Sequence, residues 1–313
     1  MPSTRTIQVT RALGALALVV VPCLFVGLLV VPFVVLTRVG PTLGVAVAVF
    51  GGVVAAGTLG PAVVDRRIAS LPRVGSDDDR QSLAESRVAA IAAQLGVDRP
   101  TVTVVSADAA NVAVTDGHRG SRLVVTTRLL SLPPSSRDAA IRHAIARLQR
   151  REAAVTTAAL PGLVAVETVA LAAILLVSHE PDRRPTDRRV NRIHGYEPDR
   201  DRIPAPLYTA GGLLAWLVTL PVWLPAAVGD RLFVGGGRRD ADVVVARSDD
   251  DARVGLAAAI RATEEAPGAG DWPPLLDRLS VVSMGDATTE RVRGTSRHET
   301  RCRLARLRSK QRL

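Results

Sequence analysis

The sequence predicts an α+β integral membrane protein, with four transmembrane helices and a mainly helical domain that carries a small β-sheet. Hydrophobic residues make up 47% of the chain, and they fall in long uncharged blocks instead of being spread evenly. The segments between the blocks contain alternating runs typical of strands and periodic runs typical of amphipathic helices. The blocks therefore predict the membrane part of the protein, and the segments between them predict the folded domain.

Residues 1–64 form the first predicted unit, a transmembrane hairpin. Its spans, 12–36 and 39–64, carry no charged side chain, and each exceeds the roughly 20 residues that cross a bilayer. Thr37 and Arg38 alone separate the two spans. The apolar core of a signal peptide is shorter, about 7 to 15 residues, so we expect the hairpin to stay in the mature protein.

Residues 65–152 form the first part of the predicted domain. A capping-box pattern at Ser82 begins a helix that ends at Gly96. Three runs predict strands: residues 101–105, 107–114 and 122–127. Asp116-Gly117 predicts the turn between the last two strands. Apolar residues at helical spacing then predict a helix that begins near Arg137 and runs toward the third hydrophobic block.

Residues 153–229 contain the second predicted transmembrane pair. Its spans, 153–178 and 206–229, are joined by an Arg-rich loop, 179–205. Glu167 lies in the middle of the third span, where a charged carboxylate costs about 2.5 kcal/mol or more. Two interpretations stay open for it: a buried polar or proton-handling group within the four-helix assembly, and a protonated side chain that only packs against another helix.

Residues 230–313 form the second part of the predicted domain. Gly235-Gly-Gly237 predicts a flexible joint, which two helices follow. The segment 266–288 is rich in proline and glycine and is predicted to be irregular. A basic helix over residues 297–312 closes the chain.

The charge distribution predicts the orientation of the protein. With the N-terminus inside, 32 of the 40 basic residues fall in the inner segments, so we expect a multi-pass protein of the cell membrane with a cytoplasmic domain. We attribute the net charge of +10 to these basic flanks. Few aromatic residues interleave with the arginines, so nucleic acid is not a predicted partner. Cys23 and Cys302 lie far apart along the chain and no Cys-x-x-Cys motif exists, which excludes disulfides and thiolate zinc sites.

Several segments resemble one protein family when they are taken in order. Asn111-Val-Ala-Val114 is similar to an Asn-Ala-Phe-Ala strand, and Val124-Val-Thr-Thr127 to the Val-Val-Thr-Thr segment that follows it. Asp138-Ala-Ala-Ile-Arg-His143 stands where a His-Glu-x-x-His helix begins, and His298 with the helix after it is similar to a closing element. Together they resemble the HtpX-type membrane zinc metallopeptidases, relatives of the CAAX prenyl endopeptidases. The resemblance implies a zincin-like domain.

The residues that the family uses for chemistry are replaced in this chain. Two histidines at i and i+4 share a helix face and can hold one Zn²⁺, and the glutamate after the first is the general base. Here His143 keeps the first position, Ala144 takes that of the base, and Arg147 that of the second histidine. If Ala241-Asp242 matches the family's Ala-Asp pair, the third ligand position is Arg238. A guanidinium has no lone pair to offer a metal.

Each of these residues has two interpretations. His143 is either a remnant of the zinc site or a histidine held by a hydrogen bond in helix packing. Arg147 and Arg238 are either solvated or paired with Asp242, with Asp240 nearby, in a salt bridge that replaces the metal as a clasp between two helices.

The sequence therefore predicts an HtpX-like pseudopeptidase with no intact catalytic or metal site and no cofactor. Because the family acts on damaged or misfolded membrane proteins, the resemblance implies the membrane, unfolded membrane-protein segments or an active homologue as partners. The predicted substrate strand, which would bind an extended segment without cutting it, consists of Asn111, Val112, Ala113 and Val114. Two alternatives stay open: an active zinc metalloendopeptidase of membrane-protein quality control with a non-standard ligand set, and a membrane scaffold whose domain is only structural.

Overall fold

A computed structural model of the chain describes residues 8–18, 20, 23, 41–75, 79–118, 120–178, 205–265, 272–283 and 296–309. It divides into two compact units. The first contains residues 1–163 and 225–313, and the second contains residues 164–224. Most of the predicted span 12–36, and the predicted loop 179–205 up to residue 204, lie outside the described residues.

Long apolar helices occupy three of the four predicted spans. After the helical residues 8–18 (α1), helix α2 covers Pro41–Ala69. Helix α6 covers Glu152–Ser178, and α7 covers Ala205–Gly229. Within the described residues, two stretches are long and apolar enough to cross a membrane, Thr42–Ala69 and Glu152–Ala172. Four spans are therefore not confirmed, and the membrane character of the chain rests on these two stretches.

The predicted sheet forms, and it has three strands. Strand β1 covers Thr101–Val105, β2 covers Val112–Thr115 and β3 covers Arg122–Thr126. Their order is β1-β3-β2, with β1 parallel and β2 antiparallel to β3. The strand predicted over 107–114 is therefore shorter, because the chain pairs with β3 from Val112 onward. Strand β2 lies at one edge of the sheet.

Helices pack against this sheet around one hydrophobic core. Helix α3 covers Asp79–Leu95, the short α4 covers Thr127–Leu130, and α5 covers Pro134–Gln149. The core takes one face of each longer helix, including Val88 of α3 and Ile141 of α5. These apolar residues recur at helical spacing and all point inward, as their periodicity predicts.

Three further helices and a short 3₁₀ turn complete the described part of the first unit. Helix α8 covers Gly235–Ser248, α9 covers Asp250–Glu264, the 3₁₀ turn covers Pro274–Leu279, and α10 covers Ser296–Ser309. The prediction of a flexible joint at Gly235-Gly-Gly237 is wrong, because these glycines form the first turn of α8. A side chain at Gly237 would overlap the carboxylate of Glu152, so the glycine permits a close approach here.

Candidate functional site

The site is built around the buried face of α5. His143 and Arg147 are four residues apart and both are fully buried, so they lie on one face of the helix. Ala144, at the position of the family's general base, is also buried, at 1% exposure. Its methyl group packs in the hydrophobic core and can accept no proton. The interpretation of Arg147 as a solvated surface residue is wrong.

Among the described residues, the polar contacts of His143 all involve one ring nitrogen. Its Nε2 atom lies 3.2 Å from Oδ1 of Asp242, 3.2 Å from the carbonyl oxygen of Arg238 and 3.3 Å from Nη2 of Arg303. Burial lowers the pKa of His143, and the nearby Asp242 only partly offsets this effect. The ring is therefore neutral, and a proton on Nε2 serves the two oxygen acceptors. Nδ1 is buried and has no hydrogen-bond partner among the residues that the structure describes.

Asp242 binds Arg303 in a two-point ion pair. Nη2 of Arg303 donates to Oδ1 at 2.7 Å, and Nε donates to Oδ2 at 2.9 Å. Burial acts to raise the pKa of Asp242, but the charge and hydrogen bonds of Arg303, with the hydrogen bond from His143, bring it well below its usual range. Parallel bonds of this kind are the strongest geometry between a guanidinium and a carboxylate. The pair joins α8 to α10.

Arg147 pairs with a carboxylate that begins the next helix. Its Nε and Nη2 atoms donate to Oε1 of Glu152 at 3.0 and 2.6 Å. The same guanidinium donates to the carbonyl oxygens of Ser280 at 3.2 Å and Arg278 at 2.9 Å. Glu152 is buried, at 3% exposure, so this is an internal ion pair and not a surface one.

Arg238 is the third buried guanidinium. Its Nε atom donates to the carbonyl oxygen of Ser280 at 3.2 Å, and Nη2 donates to that of Asp277. Nη1 lies 3.8 Å from Oε2 of Glu299. Burial lowers the pKa of Arg238, while Glu299 acts to raise it. Arg238 is buried, at 6% exposure, so its interpretation as a solvated residue is also wrong.

The predicted clasp forms with different partners. Asp242 pairs with Arg303 and His143, while Asp240 pairs with Arg11 and Arg150. Among the described residues, no ion pair joins Asp240 or Asp242 to Arg147 or Arg238. Arg147 pairs with Glu152 instead, and Arg238 pairs with Glu299. Helices α5 and α8 are still linked directly, through the contact of His143 with Asp242.

The predicted substrate strand is not open to solvent. The four residues Asn111 to Val114 are buried, none above 1% exposure. The chain's own segment 280–282 lies along their outer side: Ser280 bridges to Ala113 in an antiparallel sense, and the Val281 amide donates to the carbonyl oxygen of Val112 at 3.0 Å. The strand exists as predicted, but an internal segment covers it.

Sequence reasoning missed Arg303 as a site residue, although it contacts His143, Asp242 and the carbonyl oxygen of Val281. A signal for it exists, because Thr300, Arg303, Leu304 and Leu307 recur at the spacing of one helix face and are all buried. Among the described residues, no three His, Cys, Asp or Glu side chains are grouped so that they could hold a metal ion. Glu167 lies half-buried in the second unit.

Comparisons of the chain with protein-family models, with curated proteins and with solved structures find no match.

Proposed function

We propose that this chain is a catalytically inactive relative of the HtpX-type membrane metallopeptidases, which binds extended segments of membrane proteins without cleaving them. The observation that carries the proposal is the ion pair of Arg303 and Asp242 beside His143. It holds a guanidinium 3.3 Å from Nε2 of His143, the residue that stands at the first metal-ligand position of the resemblance.

Electrostatics supports the loss of the metal. Three buried guanidiniums, those of Arg147, Arg238 and Arg303, surround the face of α5 that carries His143. Each is a fixed cation with no lone pair to offer a metal, and at close range its charge repels a divalent ion although a carboxylate partner offsets this repulsion. A zinc site also needs three or four ligands with free lone pairs, and His143 is the one such group at the positions that the resemblance assigns.

Ala144 supports the loss of the hydrolytic step. In a zinc peptidase the general base takes a proton from the metal-bound water, and a methyl group cannot. Because Ala144 packs in the core, a carboxylate from elsewhere would have to displace packed side chains to reach the same place. The enzyme alternative therefore lacks both the metal and the base.

A membrane location is supported by the surface of the long helices. Helix α2 exposes large apolar side chains along its length, among them Leu43, Phe50 and Leu59, and Phe50 is 74% exposed. A contiguous apolar surface of this kind is costly in water and is favoured in lipid. We propose four spans in the cell membrane, with the domain on the cytoplasmic side as the basic residues predict.

The proposal of segment binding is supported by the position of β2 at the edge of the sheet. Strand β2 retains the position of an edge strand, and Asn111, directly before it, hydrogen-bonds through its side-chain amide to the main chain of Val282, a segment of this chain itself. Strand addition uses such main-chain and amide hydrogen bonds for affinity. We assign the bound segment to an unfolded membrane protein or to an active homologue.

The test measures zinc and cleavage on the full chain purified in detergent. We expect far less than one zinc per chain by elemental analysis, and no cleavage of unfolded casein with or without a chelator. A matched control is the ligand-restored variant, defined as Ala144→Glu, Arg147→His and Arg238→Glu. Near-stoichiometric zinc in the wild-type chain, with chelator-sensitive cleavage, would overturn the proposal in favour of an active metalloendopeptidase.

A further inference from the structure

We propose that residues 277–282 occupy in cis the groove that takes a foreign segment, so that an extended apolar segment of another chain binds by displacing them. This inference rests on the proposed function and adds that the chain's own segment controls the binding of a foreign one. The groove is defined here as the outer edge of Asn111 to Val114 together with the guanidiniums of Arg147, Arg238 and Arg303.

The internal segment binds the edge strand as an added strand would. The Val281 amide donates to Val112, and Ser280 forms an antiparallel bridge with Ala113. Asn111 extends this pairing through its side chain: Nδ2 donates to the carbonyl oxygen of Val282 at 2.8 Å, and Oδ1 accepts from the Val282 amide at 3.4 Å. These contacts use main-chain groups of the segment, which any extended peptide offers.

The three arginines hold the other side of the segment, again through its main chain. Arg147 donates to the carbonyl oxygens of Arg278 and Ser280, and Arg238 donates to those of Asp277 and Ser280. Arg303 donates to that of Val281 at 2.6 Å. Arg147 and Arg238, at positions that resemble those of metal ligands, thus donate hydrogen bonds to main-chain carbonyl oxygens. These bonds do not depend on the side chains of the segment.

The side chains of the segment define which replacement fits. Leu279, Val281 and Val282 are at most 3% exposed, and the two valines belong to the hydrophobic core. A replacement must therefore supply apolar side chains in an extended conformation, as an unfolded membrane segment does. A charged side chain at these three positions would be buried without a partner and is excluded, whereas the buried Arg278 of the segment pairs with Asp230.

The internal segment is poised to be displaced because its strand pairing is short. It makes one isolated bridge to β2, whereas β2 pairs with β3 over four residues. Local opening of the segment breaks its contacts with the arginines and Asn111 but leaves the pairing of β2 with β3 in place, so it takes less free energy than global unfolding. A competing segment then binds with an affinity reduced by the fraction of chains that are open.

The first experiment locks the segment in place. Ala113→Cys with Ser280→Cys joins two residues that face each other in an antiparallel bridge. Such pairs have Cα atoms about 4.5 to 5.5 Å apart, which is within the range that a disulfide spans. The background carries Cys23→Ala and Cys302→Ser. The probe is a fluorescein-labelled peptide of residues 274–283, PLLDRLSVVS, with a scrambled peptide as its control, and anisotropy reports binding to the full chain in detergent. We expect the oxidised protein to bind at least about tenfold more weakly than the same protein after reduction.

The second experiment loosens the segment without changing the groove. Leu276 is fully buried and its side chain makes none of the groove contacts, so Leu276→Ala weakens the anchoring of the segment. We expect Leu276→Ala to bind the probe about tenfold more tightly than the volume-matched control Leu276→Met. Circular dichroism and a thermal melt establish that both variants are folded.

The outcomes separate the two proposals. Equal binding by oxidised and reduced protein would overturn displacement alone, because the probe would then bind elsewhere. Failure of the two cysteines to form a disulfide would also overturn displacement, because it would show that the segment does not lie beside the edge strand. Absence of binding to reduced protein and to folded Leu276→Ala would overturn segment binding itself, and with it the proposed function. If Leu276→Ala fails to fold, the comparison of oxidised with reduced protein still decides between these results.

Discussion

Replacing Arg303 by methionine tests whether the ion pair with Asp242 holds the site together. The change removes two hydrogen bonds to Asp242, at 2.7 and 2.9 Å, and one to the carbonyl oxygen of Val281 at 2.6 Å. It leaves a buried carboxylate with His143 as its remaining partner. Removing one member of a buried pair costs about 3 to 5 kcal/mol, because the other charge stays uncompensated. We expect Arg303→Met to lower the free energy of unfolding by this amount.

A second variant separates the charge from the packing. In Arg303→Met combined with Asp242→Leu, no unpaired carboxylate remains, and His143 keeps its contact with the carbonyl oxygen of Arg238. The carbonyl oxygen of Val281 still lacks its donor, which costs about 1 to 3 kcal/mol. We therefore expect the double variant to be more stable than Arg303→Met alone, and to remain less stable than the wild type.

The assay is denaturant unfolding of the full chain in detergent, followed by tryptophan fluorescence. The matched control is Arg301→Met, an exposed arginine on the same helix, for which we expect a change within about 0.5 kcal/mol. Arg303→Met that unfolds like Arg301→Met would refute the reasoning. So would a double variant that is less stable than Arg303→Met, since the two residues would then not be coupled.

Two further predictions concern His143 and the metal. Because the pKa of His143 in the folded chain is lowered from its ordinary value of 6.5, the stability that it contributes is present above about pH 6.5 and is lost as the pH falls toward the lowered value. Denaturant unfolding between pH 7.5 and about 5 should therefore show a loss of stability that is smaller in His143→Gln; an equal loss in both would contradict this assignment. We also expect the ligand-restored variant with Glu152→Gln and Glu299→Gln added to bind zinc, by elemental analysis, where the wild-type chain binds far less; no zinc in the folded variant would show that the assigned ligand positions are wrong.

The elements of the domain could be predicted because their signals are local. Alternation predicted the strands of the sheet, and helical spacing predicted α3 and α5, whose buried faces form the core. The joint at Gly235-Gly-Gly237 was mispredicted because glycine has two uses. It gives the chain freedom in a loop, but here it lets α8 approach Glu152 where a Cβ would overlap.

The pairing within the site could not be predicted, since it depends on contacts between residues that are distant in sequence. His143 lies 160 residues from Arg303, and Asn111 lies 171 residues from Val282. Arg303 also sits in a basic tail, where a solvated face is the ordinary interpretation of a run of arginines. The available signal was the helical spacing of Thr300, Arg303, Leu304 and Leu307. The many arginines of the tail made this helix resemble a solvated one.

The zinc prediction follows from the charge balance of the site. Three buried guanidiniums face three carboxylates, one to one: Arg303 with Asp242, Arg147 with Glu152, and Arg238 with Glu299. Such a neutral set can be buried, whereas an unpaired charge cannot. The ligand-restored variant lowers the net charge of this set by four, whereas one Zn²⁺ adds a charge of two. It also leaves Glu152 and Glu299 without their cationic partners. Neutralising those two carboxylates reduces the deficit to two, which one Zn²⁺ matches.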